Sequence, residues 1–188
     1  TGGLTVTEGT TLSIPVAYRA VQLISDSIGS LSFGAHRDDE RLDPTPAVLR
    51  QPDPNQTRME TIGATVTSLV MRGNAYFILG NRDSFGFPQS AILLSPDAVG
   101  VVIDRQGNIS YQVNGTTYDT SEILHIRGGV VTPGSISGAG PLQLQRRSLA
   151  LSLAGDEAAS ESHVSGSIPS GVINSPQEMS QEEATILK

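Results

Sequence analysis

Between Pro15 and Gly29 the apolar positions Val16, Ala17, Ala20, Val21, Leu23, Ile24 and Ile28 fall on one arc of roughly 160° when wound as a helix, with Arg19, Gln22, Ser25 and Asp26 opposite. This predicts an amphipathic helix opened by Pro15 and closed near Gly29. Leu31, Phe33 and Ala35 then alternate as a short strand before the charged turn Arg37-Asp38-Asp39-Glu40-Arg41. Pro44, Pro46, Pro52 and Pro54 bracket a helical turn at Ala47-Val48-Leu49-Arg50. Thr57 with Glu60 forms a capping box, and a narrower stripe of Met59, Ile62, Val66, Leu69 and Val70 follows, with Gly73 suited to end the helix. From there the period changes to two. Residues 75–79, 91–94, 99–104, 109–113, 116–118 and 122–127 read as strands, with turns at Gln106-Gly107 and Asn114-Gly115. A Gly-rich connection over residues 128–140 leads to a long helix from Pro141 to about His163. Residues 171–174 suggest a short strand, and Ser180 with Glu183 caps a helix still running at Lys188. The order of elements predicts an α+β domain: helices packed on a cluster of short, mainly antiparallel strands.

Composition narrows the function. The chain has 188 residues and could bury about 70% of its unfolded surface, enough for a proper core. No apolar run approaches the roughly eighteen residues of a membrane span, and no secretory signal is visible at Thr1-Gly2-Gly3-Leu4-Thr5. The absence of cysteine removes disulfides, thiolate metal sites and cysteine nucleophiles. A net charge of −7 argues against a tight grip on DNA phosphates, though not against letting DNA slide past.

The residues offer no catalytic constellation. Gly134-Ser135-Ile136-Ser137-Gly138-Ala139-Gly140 precedes a helix as a phosphate loop would, but no Lys follows it. Ile136 occupies the place of a nucleophilic Ser, and Gln143 that of a third dinucleotide-binding Gly. The segment therefore reads as a flexible connection. His36, His125 and His163 lie at no metal-ligand spacing from another His or a carboxylate, and His125 reads as one side of a strand. Catalytic, cofactor and metal sites are all expected to be absent.

The helix after Pro141 is more informative. Leu142, Leu149 and Leu153 share one face, while Leu144, Leu151 and Ala158 lie opposite. A helix apolar on both sides must be covered on both. Either two layers of one domain sandwich it, or one cover is another subunit. Arg146 and Arg147 stand near its N-terminus and Asp156, Glu157 and Glu161 nearer its C-terminus, opposite to what the helix dipole favours. Partners across a subunit boundary would explain that placement, and so would plain solvation. Leu144, Leu151, Arg146 and Arg147 are the candidate interface residues.

Several segments, in order, resemble the portal proteins of long-tailed bacteriophages. Ala17-Tyr18-Arg19-Ala20-Val21-Gln22-Leu23-Ile24-Ser25-Asp26-Ser27-Ile28-Gly29-Ser30-Leu31 is similar to that family's first helix. Leu49-Arg50-Gln51-Pro52-Asp53-Pro54-Asn55-Gln56-Thr57 is similar to its proline-rich link, and Arg72-Gly73-Asn74-Ala75-Tyr76 to the turn into its first sheet strand. Ser95-Pro96-Asp97-Ala98-Val99, Glu122-Ile123-Leu124-His125-Ile126-Arg127, Gly140-Pro141-Leu142 and Pro169-Ser170-Gly171-Val172-Ile173 continue the series. The resemblance implies the α+β wing of a portal subunit over residues 13–174. A flexible segment at 1–12 would precede it, and the start of a further helix at 175–188 would follow, with stem and clip beyond the end of this chain. It implies a homo-oligomeric ring, typically of twelve subunits, at the capsid vertex of a virion assembled in the bacterial cytoplasm. Double-stranded DNA would pass through the ring with weak, non-specific contact. Terminase, capsid and tail adaptor proteins would be its partners, the ATPase chemistry would belong to terminase, and no membrane or cofactor would be involved. Another head–tail adaptor, or a small hydrolase with an unrecognised site, are the alternatives.

Overall fold

The computed structural model describes residues 7–165. The chain divides into two compact units, Thr1–Ala150 and Leu151–Lys188, and the layers that follow belong to the first. Its elements run α1 (Glu8–Leu12), α2 (Pro15–Gly29), β1 (His36–Arg37), β2 (Glu40–Arg41), α3 (Ala47–Arg50), α4 (Arg58–Arg72), β3 (Asn74–Arg82), β4 (Pro88–Leu94), β5 (Val99–Ile103), β6 (Ile109–Val113), β7 (Thr116–Asp119), β8 (Ile123–Arg127) and α5 (Pro141–Leu144). A 3₁₀ turn at Pro96–Ala98 joins β4 to β5. Helix α6 (Arg146–Ser165) starts in the first unit and continues into the second.

The strand cluster resolves into two antiparallel three-stranded sheets, ordered β4-β3-β8 and β5-β6-β7. Strand β3 is central to the first and is apolar along both faces, as a strand covered on both sides must be. Ala75 and Phe77 pack with Ala91, Val48 and Leu69 on the helical side. Tyr76 and Ile78, one residue out of phase, pack with Tyr111, Val113 and Ile123 between the sheets. Helices, first sheet and second sheet thus form three layers with a core on each side of β3. Two hairpin turns follow from residues that tolerate positive φ. Asn114 and Gly115 take φ of 49° and 83°, as a two-residue turn with primed geometry needs. Asp38 and Asp39, at 51° and 67°, close the small β1–β2 hairpin.

Three expectations change. The strand expected at Leu31, Phe33 and Ala35 is irregular chain, and the pairing falls instead on the charged residues His36↔Arg41 and Arg37↔Glu40. The two-aspartate turn, rather than apolar alternation, sets that hairpin. Helix α2 has the expected bounds but buries a different face. Its inward stripe is Ala17, Val21, Ser25 and Gly29, centred roughly 100° from the middle of the apolar arc. The cause is close approach to α4: a Cβ on Gly29 would stand 3.2 Å from the Met59 carbonyl oxygen. Only small side chains fit there, which leaves Val16 80% and Leu23 61% exposed. Finally, the long helix after Pro141 is broken at Gln145, whose φ of −93° and ψ of 10° separate α5 from α6. No Pro or Gly marks that break in the sequence.

Glu8–Leu12, inside the segment read as flexible, is one helical turn closed by a capping box between Thr7 and Thr10. The capping box of α4 forms as expected. Glu60 accepts from the Thr57 backbone N–H at 2.7 Å, and Thr57 Oγ1 accepts from Glu60 N–H at 3.2 Å. The Thr57 hydroxyl, which also donates to the Glu60 carboxylate at 2.7 Å, and then the Thr57 backbone N–H hold that carboxyl below its ordinary pKa. The expected strand at 171–174 and the capping box at Ser180 and Glu183 lie outside the described residues.

Candidate functional site

The Gly-rich segment 128–140 is pinned to the sheet, where the sequence suggested a flexible link. Helix α4 ends on Gly73 at φ 74°, a left-handed position that suits glycine. The next residue, Asn74, opens β3 and is only 8% exposed. Its amide nitrogen donates to the carbonyls of Arg72 at 3.0 Å and Gly138 at 2.8 Å. Its amide oxygen accepts the Gly138 N–H at 2.8 Å. Asn74 therefore meets both backbone groups of Gly138 as a neighbouring strand would. The contact is so close that a Cβ on Gly138 would overlap the carbonyl oxygens of Gly73 and Gly128, and one on Gly73 would overlap the Gly140 nitrogen. Gly128 N–H donates to the Gly73 carbonyl at 2.9 Å, and Val130 bridges Ala139, closing the segment on itself.

His125 extends this lock to the second sheet. Its Nε2 lies 3.0 Å from Asn74 Oδ1 and its Nδ1 3.3 Å from the Tyr111 hydroxyl. Asn74 Oδ1 is an acceptor, because the amide nitrogen beside it serves two carbonyls. Nε2 must therefore carry the proton, and Nδ1 accepts from Tyr111. The ring stacks on Tyr76 at 4.2 Å between centroids and 28° between planes. Burial, with the positive charge of Arg127 second, pushes the imidazole pKa down to about 4. Burial also raises the pKa of Tyr76 and of Tyr111. A neutral His fixed in one tautomer between two aromatic rings is a positioning device. Among the described residues, no group of His, Asp and Glu is arranged to hold a metal ion, and no helix is long and apolar enough to cross a membrane.

The family model for phage portal proteins matches residues 15–188. The chain belongs to the phage portal protein family. A probable portal protein of Streptomyces phage phiC31 is 27% identical over 202 residues, covering 96% of this chain and 43% of that protein. The chain thus spans less than half the length of this portal relative. The portal protein of the HK97 family from Corynebacterium diphtheriae has the same fold, with a TM-score of 0.64 at 21% identity over 96% of this chain and 58% of the other. So does a chain in the neck of an empty GTA particle computed with C6 symmetry, with a TM-score of 0.70 at 21% identity over 95% of this chain and 52% of the other. The α+β architecture expected from the portal resemblance is the architecture found.

Within this portal chain the sequence-derived interface residues are all outward-facing. Leu144 is 56% and Leu151 75% exposed, and Arg146 and Arg147 are exposed as well. Leu142, Leu149 and Leu153 are half-buried. The structure brings Leu144, Arg146 and Arg147 together at the α5–α6 junction and places Leu151 at the start of the second unit. His36 and His163 are exposed. Sequence reasoning missed the Asn74–His125–Tyr111 chain, because its members sit 51 and 14 positions apart on strands whose pairing is not written locally. The available signal was Gly73-Asn74 itself, a polar residue placed after a helix-ending glycine at the start of an apolar strand.

Proposed function

We propose that this chain is the wing portion of a portal subunit, a structural element of a ring at the capsid vertex through which double-stranded DNA is packaged and ejected. The family match running from residue 15 to residue 188 carries the reading. On it, residues 13–174 form the wing and 175–188 begin a further helix. The symmetric particle necks in which chains of this fold occur support a ring. Leu144, Leu151, Arg146 and Arg147 face a neighbouring subunit, which supplies the cover that the outer side of their helices lacks among the described residues. Terminase, the capsid and tail adaptors are the other partners, and the assembled particle is the protein's location after assembly in the host cytoplasm. The chain performs no catalysis, and the motor's ATPase belongs to terminase. The net charge of −7 suits a conduit, since sparse phosphate contacts do not trap DNA. Duplex DNA is expected to bind no tighter than roughly 10⁻⁴–10⁻⁶ M at physiological salt, and nanomolar binding in a titration would contradict the conduit.

The ring is tested by expressing the chain with whatever flanking sequence its gene encodes. Sedimentation velocity and negative-stain electron microscopy are expected to show closed rings. A protein that stays monomeric at every concentration refutes the reading.

A further inference from the structure

The β3–β4 hairpin ends in Arg82-Asp83-Ser84-Phe85-Gly86-Phe87-Pro88, and it presents apolar side chains where loops ordinarily present polar ones. Phe85 is 85% and Phe87 61% exposed, the highest values among the described aromatic residues. The tip is built rigidly. Asp83 Oδ1 accepts the backbone N–H groups of Phe85 and Phe87, each at 2.9 Å. Gly86 N–H donates to the Asp83 carbonyl at 3.0 Å, and Asp83 N–H to the Phe87 carbonyl at 2.9 Å. The Arg82 guanidinium donates to the Gly86 carbonyl at 2.7 Å and to the Ser121 carbonyl at 2.6 Å, tying the tip to the segment before β8. Most polar backbone groups at the tip are thus satisfied inside the hairpin. Such a tip can leave water at little cost in unmade hydrogen bonds and little cost in ordering.

The same chain carries a matching concavity. A cleft of about 300 Å³ opens on the helical side of the first sheet, with almost wholly apolar walls that include Phe33, Leu49, Ile62, Phe77, Leu124 and Ile126. Leu49, Phe33 and Leu124 at its mouth are 40%, 42% and 45% exposed. We propose that the Phe85 and Phe87 tip of one copy seats in this apolar cleft of the next copy around the ring. The inference rests on the ring reading above and names a contact within it. A projecting surface and a different, receiving surface on one chain make a head-to-tail contact, the kind that closes into rings. Area selects a ring neighbour over a stable free-standing dimer. At about 200 Å² for each fully exposed phenylalanine, the tip offers only about 300 Å², against about 800 Å² per partner in a stable interface. The tip contact is therefore one element of a larger ring junction and does not by itself hold two copies together.

The test uses the ring-forming protein with two kinds of variant. Phe85→Ser with Phe87→Ser removes the tip. Leu124→Glu blocks the cleft, with Leu49→Glu at the same mouth as its substitute should Leu124→Glu lower the monomer's melting temperature. Each variant alone is expected to raise the concentration for half-assembly by about thirty-fold, the effect of losing an aromatic hot spot. An equimolar mixture of the two kinds has one intact junction available. The blocked copy still offers its tip, and the tipless copy still offers its cleft. The mixture is therefore expected to form two-copy species, seen by sedimentation, at about thirty-fold lower concentration than either variant alone. Tip variants that assemble like the wild type overturn the inference while leaving the ring reading in place, and so does a mixture that gives nothing beyond the separate variants. A wild-type protein that forms no rings defeats the ring reading and the inference together.

Discussion

Asn74→Ala isolates the contribution of the lock between the Gly-rich segment and the sheet. The substitution removes three bonds to backbone, at 3.0, 2.8 and 2.8 Å, and the 3.0 Å bond to His125. Gly138 is buried, so its N–H and C=O both lose their amide partner where little water reaches them. Each buried unsatisfied group costs about 1–3 kcal/mol, while the half-buried His125 can be partly served by solvent. The sum is about 3–5 kcal/mol, or about 10 °C in melting temperature for a chain of this size. Asn74→Asp separates the components. It keeps the oxygen that accepts from Gly138 and His125, but sets a carboxylate oxygen against the Arg72 and Gly138 carbonyls, and near neutral pH it is expected to cost at least as much as Asn74→Ala. Urea unfolding gives the free energies, and amide hydrogen exchange at Gly138 and Ala139 reports whether the segment has come loose. A loss below about 1 kcal/mol in Asn74→Ala, with Gly138 still protected, would refute the claim that Asn74 holds this segment.

Further outcomes follow from the same geometry. The folded His125 titrates near 4, below the roughly 6.5 of an unfolded chain, so the unfolded state binds more protons between those values. Stability is therefore full above about pH 6.5 and falls as pH drops toward 4, by about 1–2 kcal/mol once solvent screening at this half-buried ring is allowed for. His125→Gln is expected to flatten unfolding free energy against pH in that window, and an unchanged slope would assign the dependence to other groups. Gly73→Ala places a Cβ at φ 74° against the Gly140 backbone and is expected to destabilise by more than about 3 kcal/mol in chemical denaturation. A neutral result would mean that the α4–β3 turn relaxes freely. Leu144→Ala, at an exposed position, is expected to change monomer unfolding by less than about 0.5 kcal/mol and to weaken ring assembly, whereas Leu149→Ala is expected to cost the monomer about 1–2 kcal/mol. Equal effects of the two on the monomer would remove the interface role of Leu144.

What could be read from the residues was what neighbouring residues decide. The turn at Asn114-Gly115, the capping box at Thr57 and the glycine stop at Gly73 depend on a few consecutive side chains, and each stands where its residues placed it. The five-residue apolar run in β3 was legible as a strand for the same reason. The face of α2 was not, because hydrophobic periodicity registers apolar area and not the distance of closest approach. Where Gly29 meets the Met59 carbonyl, Ala17, Val21 and Ser25 hold the inward positions rather than leucine and isoleucine. The break at Gln145 has no local marker at all. For the site, a helical wheel put Leu144 and Leu151 on one face, but it assumed one helix where Gln145 divides two. The partners of His125 could not be read, since they depend on which strands pair.

The Asn74 lock also orders the way the chain can fold. Asn74 and Gly138 are 64 residues apart, and closing a loop of that length from an open chain is entropically unfavourable. Pairing of β3 with β8 first brings Asn74 opposite Arg127, leaving only the segment from 127 to 138 still open. On logarithmic loop scaling that prior step lowers the remaining closure cost by about 1.6 kcal/mol. The hairpins β3–β4 and β5–β6–β7, made of local contacts, therefore form early. On this scaling the β3–β8 pairing is expected to precede closure of the lock. Helix α5 follows directly from the locked glycines and is set in place only at that closure. The surface at Leu144, Arg146 and Arg147 is thus expected to take shape only after β3 and β8 have paired.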